Sequence, residues 1–374
     1  MKTDKNTVIG IVLLGVLFFV FFWYNNKEQQ AYMESQKHIQ DSIAAVQAKK
    51  IKPADVQAAR RDSAYSDSLA RAAKAGNFTG ATTGSEQIIT VENDLMKINF
   101  TSKGGRVKNV ILKNFTSHDG KNVVLGGTDK DVISYTINTG ANNTASTAEL
   151  YFVPSGIVKN TDGSQLIKFT LADSAGASIV HEYSVKKDNY LIDWNIQANN
   201  ASGLFTGNAL NINYKAQPVQ HEGSVEYERR VANVCFSEGN EFDYISSHTD
   251  HTFEKPAQWI SAVQQFFNTT LITKYKDGFS GGKINWARFA DSSEIMGTVD
   301  ASLQVKLPAT ASVAVPMQLY YGPNDYKILG ATAPEMDKII NLGRDMYSFV
   351  RPINKYLVMP SPPRWTHSDA STSS

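Results

Sequence analysis

The sequence predicts a mainly β protein: a large antiparallel β-sandwich behind one N-terminal transmembrane helix, followed by one C-terminal amphipathic helix. Three observations predict it. The chain opens on an uncharged apolar run, VIGIVLLGVLFFVFFWY, from Val8 to Tyr24. From Glu86 to about Pro323, short runs of β-branched and aromatic residues alternate with clusters of Gly, Asn, Asp and Ser. After Pro334 the apolar residues change to steps of three and four.

The apolar run of about 17 residues makes roughly 26 Å of helix, against a hydrocarbon core of about 30 Å. Val8, Leu14, Phe18 and Phe22 lie within it, and Trp23 and Tyr24 stand at its end, where amphipathic rings prefer the interface. Asn25, Asn26, Lys27 and Glu28 follow directly, with no small-residue cleavage site close by. The run therefore reads as a retained anchor over residues 1–26 rather than a cleaved signal. Lys2, Lys5 and the terminal amine precede it, which favours a cytoplasmic N-terminus.

Residues 27–85 form a charged, Ala/Gln-rich tether ending in a flexible joint, GNFTGATTGS, from Gly76 to Ser85. The sandwich occupies 86–332. Its runs include QIITVEN, LMKINF, RVKNVIL, VISYTI, ELYFV, QLIKFTL, SIVHEYSV, YLIDWNIQ, ALNINYKA, ASLQVKL and VPMQLYY. In LIDWNI, Ile192, Trp194 and Ile196 share one face and Leu191, Asp193 and Asn195 the other. Almost no helical period is read before residue 330. Beyond it, Ile339, Leu342, Met346, Phe349, Val350, Ile353, Tyr356 and Leu357 line one helix face, with Lys338, Arg344, Arg351 and Lys355 off the stripe. A basic amphipathic helix over 333–360 suits a membrane surface, or docking on its own domain, with a kink near Arg351 at Pro352. Residues 361–374 have no apolar period and read as a disordered tail.

Composition excludes some classes. A net charge of +1 gives no global attraction to nucleic acid, and a single cysteine, Cys235, allows no internal disulfide. No phosphate-binding glycine loop, zinc-protease helix or nucleophile elbow is present. His248, Asp250 and His251 (HTDH) sit in a polar stretch that reads as a solvated loop without a third ligand. His181–Glu182 and His221–Glu222 are the acid–base candidates, but neighbours on a strand face opposite ways, so only a cross-pair such as His181 with Glu222 could act. Cys235, between Val234 and Phe236, reads as a buried inert thiol. Arg229 and Arg230, after Glu226 and Glu228, read as exposed cross-strand ion pairs. No catalytic, cofactor or metal site is expected, and the chain does not read as an enzyme.

Several stretches resemble the membrane protein insertase family YidC in its envelope-facing half. The opening MKTDKNTVIGIVLLGVLFFVFFWYNN is similar to that family's anchor. FTSKGGRVKNVILKNF, Phe100 to Phe115, resembles the first strands of its periplasmic domain, where Gly104 and Gly105 would make a turn. WISAVQQFFNTTL, Trp259 to Leu271, resembles a Trp-x-x-x-x-Gln-x-Phe-Phe pattern, marking Trp259, Gln265, Phe266 and Phe267. LYYGPNDY resembles a Tyr-x-Gly-Pro motif, marking Gly322 and Pro323. NLGRDMYSFVRPINKYLVMP resembles a membrane-surface helix, marking Arg344, Phe349, Arg351, Ile353, Lys355 and Leu357, although Arg344 departs from the family's pattern, which often has an aromatic residue near there.

The resemblance implies a mutarotase-like supersandwich in the periplasm of a bacterium, held at the inner membrane. It implies partnership with inner-membrane lipid, Sec translocon components and nascent membrane proteins, and no cofactor. The family's insertase activity resides in a five-helix core for which residues after Pro360 show no counterpart. The sequence is therefore expected to represent a truncated member without insertase activity by itself. Two other readings are a membrane-anchored envelope binding module and a mutarotase-like carbohydrate-active domain.

Overall fold

The computed structural model of the protein describes residue 70 and residues 72–341, apart from 247–248 and 290–292. The expected spanning helix, nearly all of the expected tether before Gly76, His248, Arg344 and the other marked residues of the expected surface helix, and the expected tail lie outside the described residues. Among the described residues no helix is long and apolar enough to cross a membrane.

Among the described residues, twenty strands form three antiparallel sheets. The chain begins with β1 (Ile88–Glu92), β2 (Met96–Thr101), β3 (Arg106–Thr116) and β4 (Asn122–Leu125), which make a four-stranded sheet in that order. Next come β5 (Val132–Gly140), β6 (Asn143–Ser146), β7 (Val153–Pro154), β8 (Val158–Lys159), β9 (Gln165–Ala172), β10 (Ser178–Val185) and β11 (Leu191–Asn199). They are followed by β12 (Ala209–Ala216), β13 (Asn233–Glu238), β14 (Glu241–Ile245), β15 (Thr249–Thr252) and β16 (Ala257–Val263). The last are β17 (Phe267–Thr273), β18 (Gly281–Arg288), β19 (Gly297–Lys306) and β20 (Ser312–Pro323).

The large sheet runs β14-β13-β16-β17-β20-β11-β10-β9, with β7 and β8 both on the free side of β9. The third sheet runs β15-β18-β19-β12-β5-β6. Alternation explains most strands: β10 and β11 bury every second residue, including Ile192, Trp194 and Ile196 on the predicted face. The two larger sheets meet through Tyr214 Oη, which donates to Thr269 O at 2.9 Å, and through Tyr135 Oη against His181 Nε2 at 2.6 Å. The four-stranded sheet packs at the same core, with the Phe100 ring 4.9 Å from Tyr183 and Phe115 edge-on to Phe267 at 5.3 Å.

The fold corrects four expectations. Val225–Val231 is a helix, so Glu228 and Arg229 are buried helix residues rather than exposed strand ions. Ser224 caps it by accepting from Tyr227 N, with Glu226 and Glu228 in its first turn and Arg229 and Arg230 in its last, matching the helix dipole. The HTDH loop is instead partly the strand Thr249–Thr252, where the His251 ring stacks on Phe236 at 4.6 Å and bonds Glu238 at 2.8 Å. ELYFV is mostly not strand: Ser146 caps a 3-10 turn at Thr147–Glu149, and only Val153 and Pro154 pair with β9. The expected flexible joint includes a 3-10 helix, Gly76–Ala81, whose Phe78 enters the core. Leu329, Met336 and Ile339 join the same core, so the packed unit extends past 86–332 at both ends.

The Gly104–Gly105 turn has a specific requirement. Gly105 has φ +57°, and a Cβ there would lie 2.9 Å from Phe152 Cγ and 3.0 Å from Phe169 Cβ. Gly105→Ala should therefore cost on the order of 3 kcal/mol from left-handed backbone and overpacking together. Gly120→Ala, also at positive φ but in open space, should cost only on the order of 1 kcal/mol. Urea unfolding followed by tryptophan fluorescence compares the two, and equal midpoints would remove the packing argument.

Candidate functional site

The marked residues Gln265, Phe266, Phe267, Gly322 and Pro323 come together at the turn end of two neighbouring strands of the large sheet, whereas Trp259 lies further along, opposite Ile272. β16 and β17 form a hairpin, and β20 ends beside it, with Asn268 opposite Gly322 and Phe267 opposite Pro323. The strand face bearing Trp259, Ser261, Val263, Asn268 and Thr270 is dry. Its polar groups bond one another: Thr270 Oγ1 lies 2.6 Å from Asn268 Oδ1 and 2.7 Å from Ser261 Oγ. Asn268 Nδ2 then donates to Asn324 Oδ1 at 2.8 Å.

Asn324 locks the turn. Its side-chain amide donates to Gln264 O at 2.9 Å and Gln265 O at 3.2 Å, and its backbone N–H to Phe266 O at 2.7 Å. Gly322 is required because a Cβ would lie 2.8 Å from Tyr320 Oη and 2.9 Å from Tyr190 Cγ. Asp325 caps the helix Tyr326–Thr332, accepting from Lys327 N and Ile328 N. The chain then returns over the dry face, where Trp259 Nε1 donates to Pro334 O at 3.1 Å.

Gln265 is only half-buried, and the buried glutamine of the pattern is Gln264, whose spacing after Trp259 is the one the motif requires. Gln264 Nε2 donates to Val219 O and lies 3.3 Å from Glu228 Oε1. The other carboxylate oxygen of Glu228 accepts from His221 N at 2.9 Å and Glu222 N at 3.0 Å. Burial raises the Glu228 carboxyl above the ordinary range, while those two amides pull the other way. Sequence reasoning missed Asn324, Gln264 and Glu228. The turn residues around Gly322 and Pro323 are the signal that could have found the first.

A groove of about 790 Å³ opens between this hairpin, the helix Val225–Val231 and residues 339–341. Tyr227, Arg230, Arg288, Phe266 and Ile340 are among its walls. Arg230 lies over the Tyr227 ring at 4.9 Å. A second exposed apolar surface lies at the free edge of β9, where Val153, Ile157 and Val158 are exposed by 71%, 38% and 53%.

The acid–base candidates do not form a reactive site. His181 is buried, with Nδ1 2.7 Å from Gly105 O and Nε2 2.6 Å from Tyr135 Oη, rather than near Glu222. A carbonyl only accepts, so Nδ1 carries the proton and Nε2 accepts from Tyr135. Both nitrogens are thus satisfied by a neutral ring, and burial lowers its pKa to about 4. Glu182 faces the opposite side and pairs with Lys168 at 2.7 Å. His221 is also held down to about 4, first by burial, and its ring lies edge-on to Phe267. Cys235 is buried as predicted, with Sγ 3.0 Å from Asn233 Oδ1. Among the described residues no group of three His, Cys, Asp or Glu side chains could hold a metal ion.

A family model described as the YidC periplasmic domain matches residues 88–358. Similar curated proteins include a membrane protein insertase YidC of Phocaeicola vulgatus, 28% identical over 334 residues that make up 87% of this chain and 51% of that protein. A protein of the same description from Bacteroides fragilis is 29% identical over 371 residues, 95% of this chain and 57% of that one. The chain thus spans little more than half the length of these relatives. Among solved structures, a galactose mutarotase related enzyme from Lactobacillus acidophilus is similar at a TM-score of 0.40 and 10% identity, over 63% of this chain and 97% of that one. An α-N-acetylgalactosaminidase from Bifidobacterium bifidum is similar at 0.44 and 8% identity, over 68% of this chain and 39% of that one.

The neutral histidines have a pH consequence. Their folded pKa of about 4 lies below the unfolded value of 6.5, so between those values the unfolded chain binds protons that the folded one excludes. Their contribution is fully present above about pH 6.5 and is lost as pH falls toward 4. His181→Gln should lower stability at pH 7 and flatten the slope between pH 6 and pH 4.5 by up to about 1.4 kcal/mol per pH unit. Urea unfolding across that window reads the slope, and one unchanged from the parent would contradict a neutral buried His181.

Proposed function

The chain belongs to the YidC periplasmic-domain family, and on that premise we propose that its 374 residues supply the envelope-side, membrane-tethered part of membrane protein insertion. Val8–Tyr24 tethers it with the N-terminus in the cytoplasm, and the sandwich stands in the periplasm of a bacterial inner membrane. The family match across the sandwich is the observation that carries this reading. The described sandwich is filled by one continuous apolar core. A packed core offers surfaces to a partner but no polar path for a substrate's backbone and charges. The 374 residues are therefore expected not to insert membrane proteins by themselves. Expressing them in cells depleted of their full-length insertase should leave growth unrescued, and rescue would overturn this division of labour.

The free edge of β9 is the proposed contact with Sec translocon components and nascent membrane proteins. β7 and β8 are two residues each and carry Pro154 and Lys159, so the edge resists adding a further strand. It offers instead the exposed side chains of Val153, Ile157 and Val158, as interaction surfaces do. A photo-crosslinking residue at Val153 or Val158 should capture such proteins in living cells, whereas one at the exposed Lys121 should not. Equal capture from all three positions, or none from Val153 and Val158, would reject the edge as the contact.

A further inference from the structure

We infer that the groove between the helix Val225–Val231 and the β16–β17 turn seats the phosphate headgroups of anionic phospholipid. Two arginines line it, and no acidic side chain is among its described lining residues. Arg288 Nη2 donates to Arg230 O and to Ala232 O, both at 3.1 Å, which fixes the guanidinium against the end of the helix. Its Nε is buried without a hydrogen-bond partner. Arg230 is exposed and rests on the Tyr227 ring. Neither arginine forms an ion pair among the described residues. Two guanidinium groups without an ion-pair partner among the described residues favour an anion, and their planar donor forks suit phosphate oxygens.

The walls add a second requirement. Val263, Ile339 and Ile340 are apolar, and Tyr227 and Phe266 are exposed by 44% and 40% at the rim. A free phosphate would satisfy the cations and leave these walls wet. A phospholipid presents both an anionic head and an apolar shoulder. Position favours a membrane over an acidic peptide. The groove is bounded by Ile340 and Asn341, and the sequence next runs into the basic amphipathic stretch with Arg344, Arg351 and Lys355. Each arginine near an anionic surface contributes roughly a five-fold gain in binding, which salt screens.

This inference rests on the membrane tether proposed above. The test uses the full chain in lipid nanodiscs of phosphatidylcholine, alone or mixed with phosphatidylglycerol. Hydrogen exchange is followed in residues 225–231 and 263–267. Exchange in both segments should slow several-fold when phosphatidylglycerol is present. High salt should reverse the effect, and Arg230→Gln or Tyr227→Ser should each remove most of it. Equal exchange in the two lipids would overturn the inference. So would equal slowing by inorganic phosphate, or by a polyglutamate peptide in phosphatidylcholine discs. A chain that fails to incorporate into discs at all would instead defeat the tether.

Discussion

The outer face of the hairpin β16–β17 has to be covered, and much of the molecule is arranged to cover it. Trp259, Val263, Ser261, Asn268 and Thr270 point there, and all are buried. Left open, the face would expose a large indole and a line of hydroxyl and amide groups already committed to one another. The segment from Asp325 to Ile340 closes it, contributing Leu329, Met336 and Ile339 to the core and a carbonyl at Pro334 to the indole. Asn324 stands where β20 hands over to this segment, and its amide holds both the turn and the buried polar line. The same packing that seals the face therefore determines where residue 341 leaves the domain, beside the groove.

A second tie works at the opposite flank. The Gly105 carbonyl accepts from His181 Nδ1 at 2.7 Å and from Tyr183 Oη at 2.9 Å, joining the four-stranded sheet to β10. An acceptor with two lone pairs can take both donors, provided that no side chain fills the space that Phe152 and Phe169 occupy. The Tyr183 ring stacks on Trp194 at 5.9 Å, so the polar tie sits inside an aromatic layer. A histidine so placed is a structural part. Proton transfer to a substrate needs access and a pKa near the working pH, and His181 has neither.

The sequence made the alternating strands legible because each buries one face: β9, β10, β11, β12 and β19 all follow period two. The strands β13, β16 and β17 were not singled out by alternation because both their faces are covered. Their burial runs almost without a break, and their serines, threonines and asparagines, which look like turn signals, are internal hydrogen-bond partners. The helix Val225–Val231 was missed for a different reason. At seven residues it is too short to show a period, and its charges imitate cross-strand ion pairs while serving as dipole partners and a buried acceptor. The motif residues of the site were readable, but their roles were not. Gln264 and Gln265 are neighbours in one turn; the motif spacing singles out Gln264, but only the fold shows that its side chain reaches Glu228.

Tethering changes how strong the surface contacts need to be. On the proposed topology the domain is held near the bilayer through residues before its first helix turn, where Thr139 Oγ1 donates to Lys74 O at 2.5 Å, and through the segment after Asn341. A tethered surface meets its partner at a raised effective concentration, near millimolar for a short flexible link and lower as the link lengthens. Contacts too weak to hold two free molecules together then suffice to orient one against the membrane. A groove with two arginines, and an edge with three aliphatic side chains, are of that modest size. Weak contacts also dissociate quickly, which would suit the proposed role, in which the domain releases one client and stays available for the next. The apolar surface of the fold is accordingly spent on its own core, and on the proposed function its partners would be met through small surfaces at the flanks.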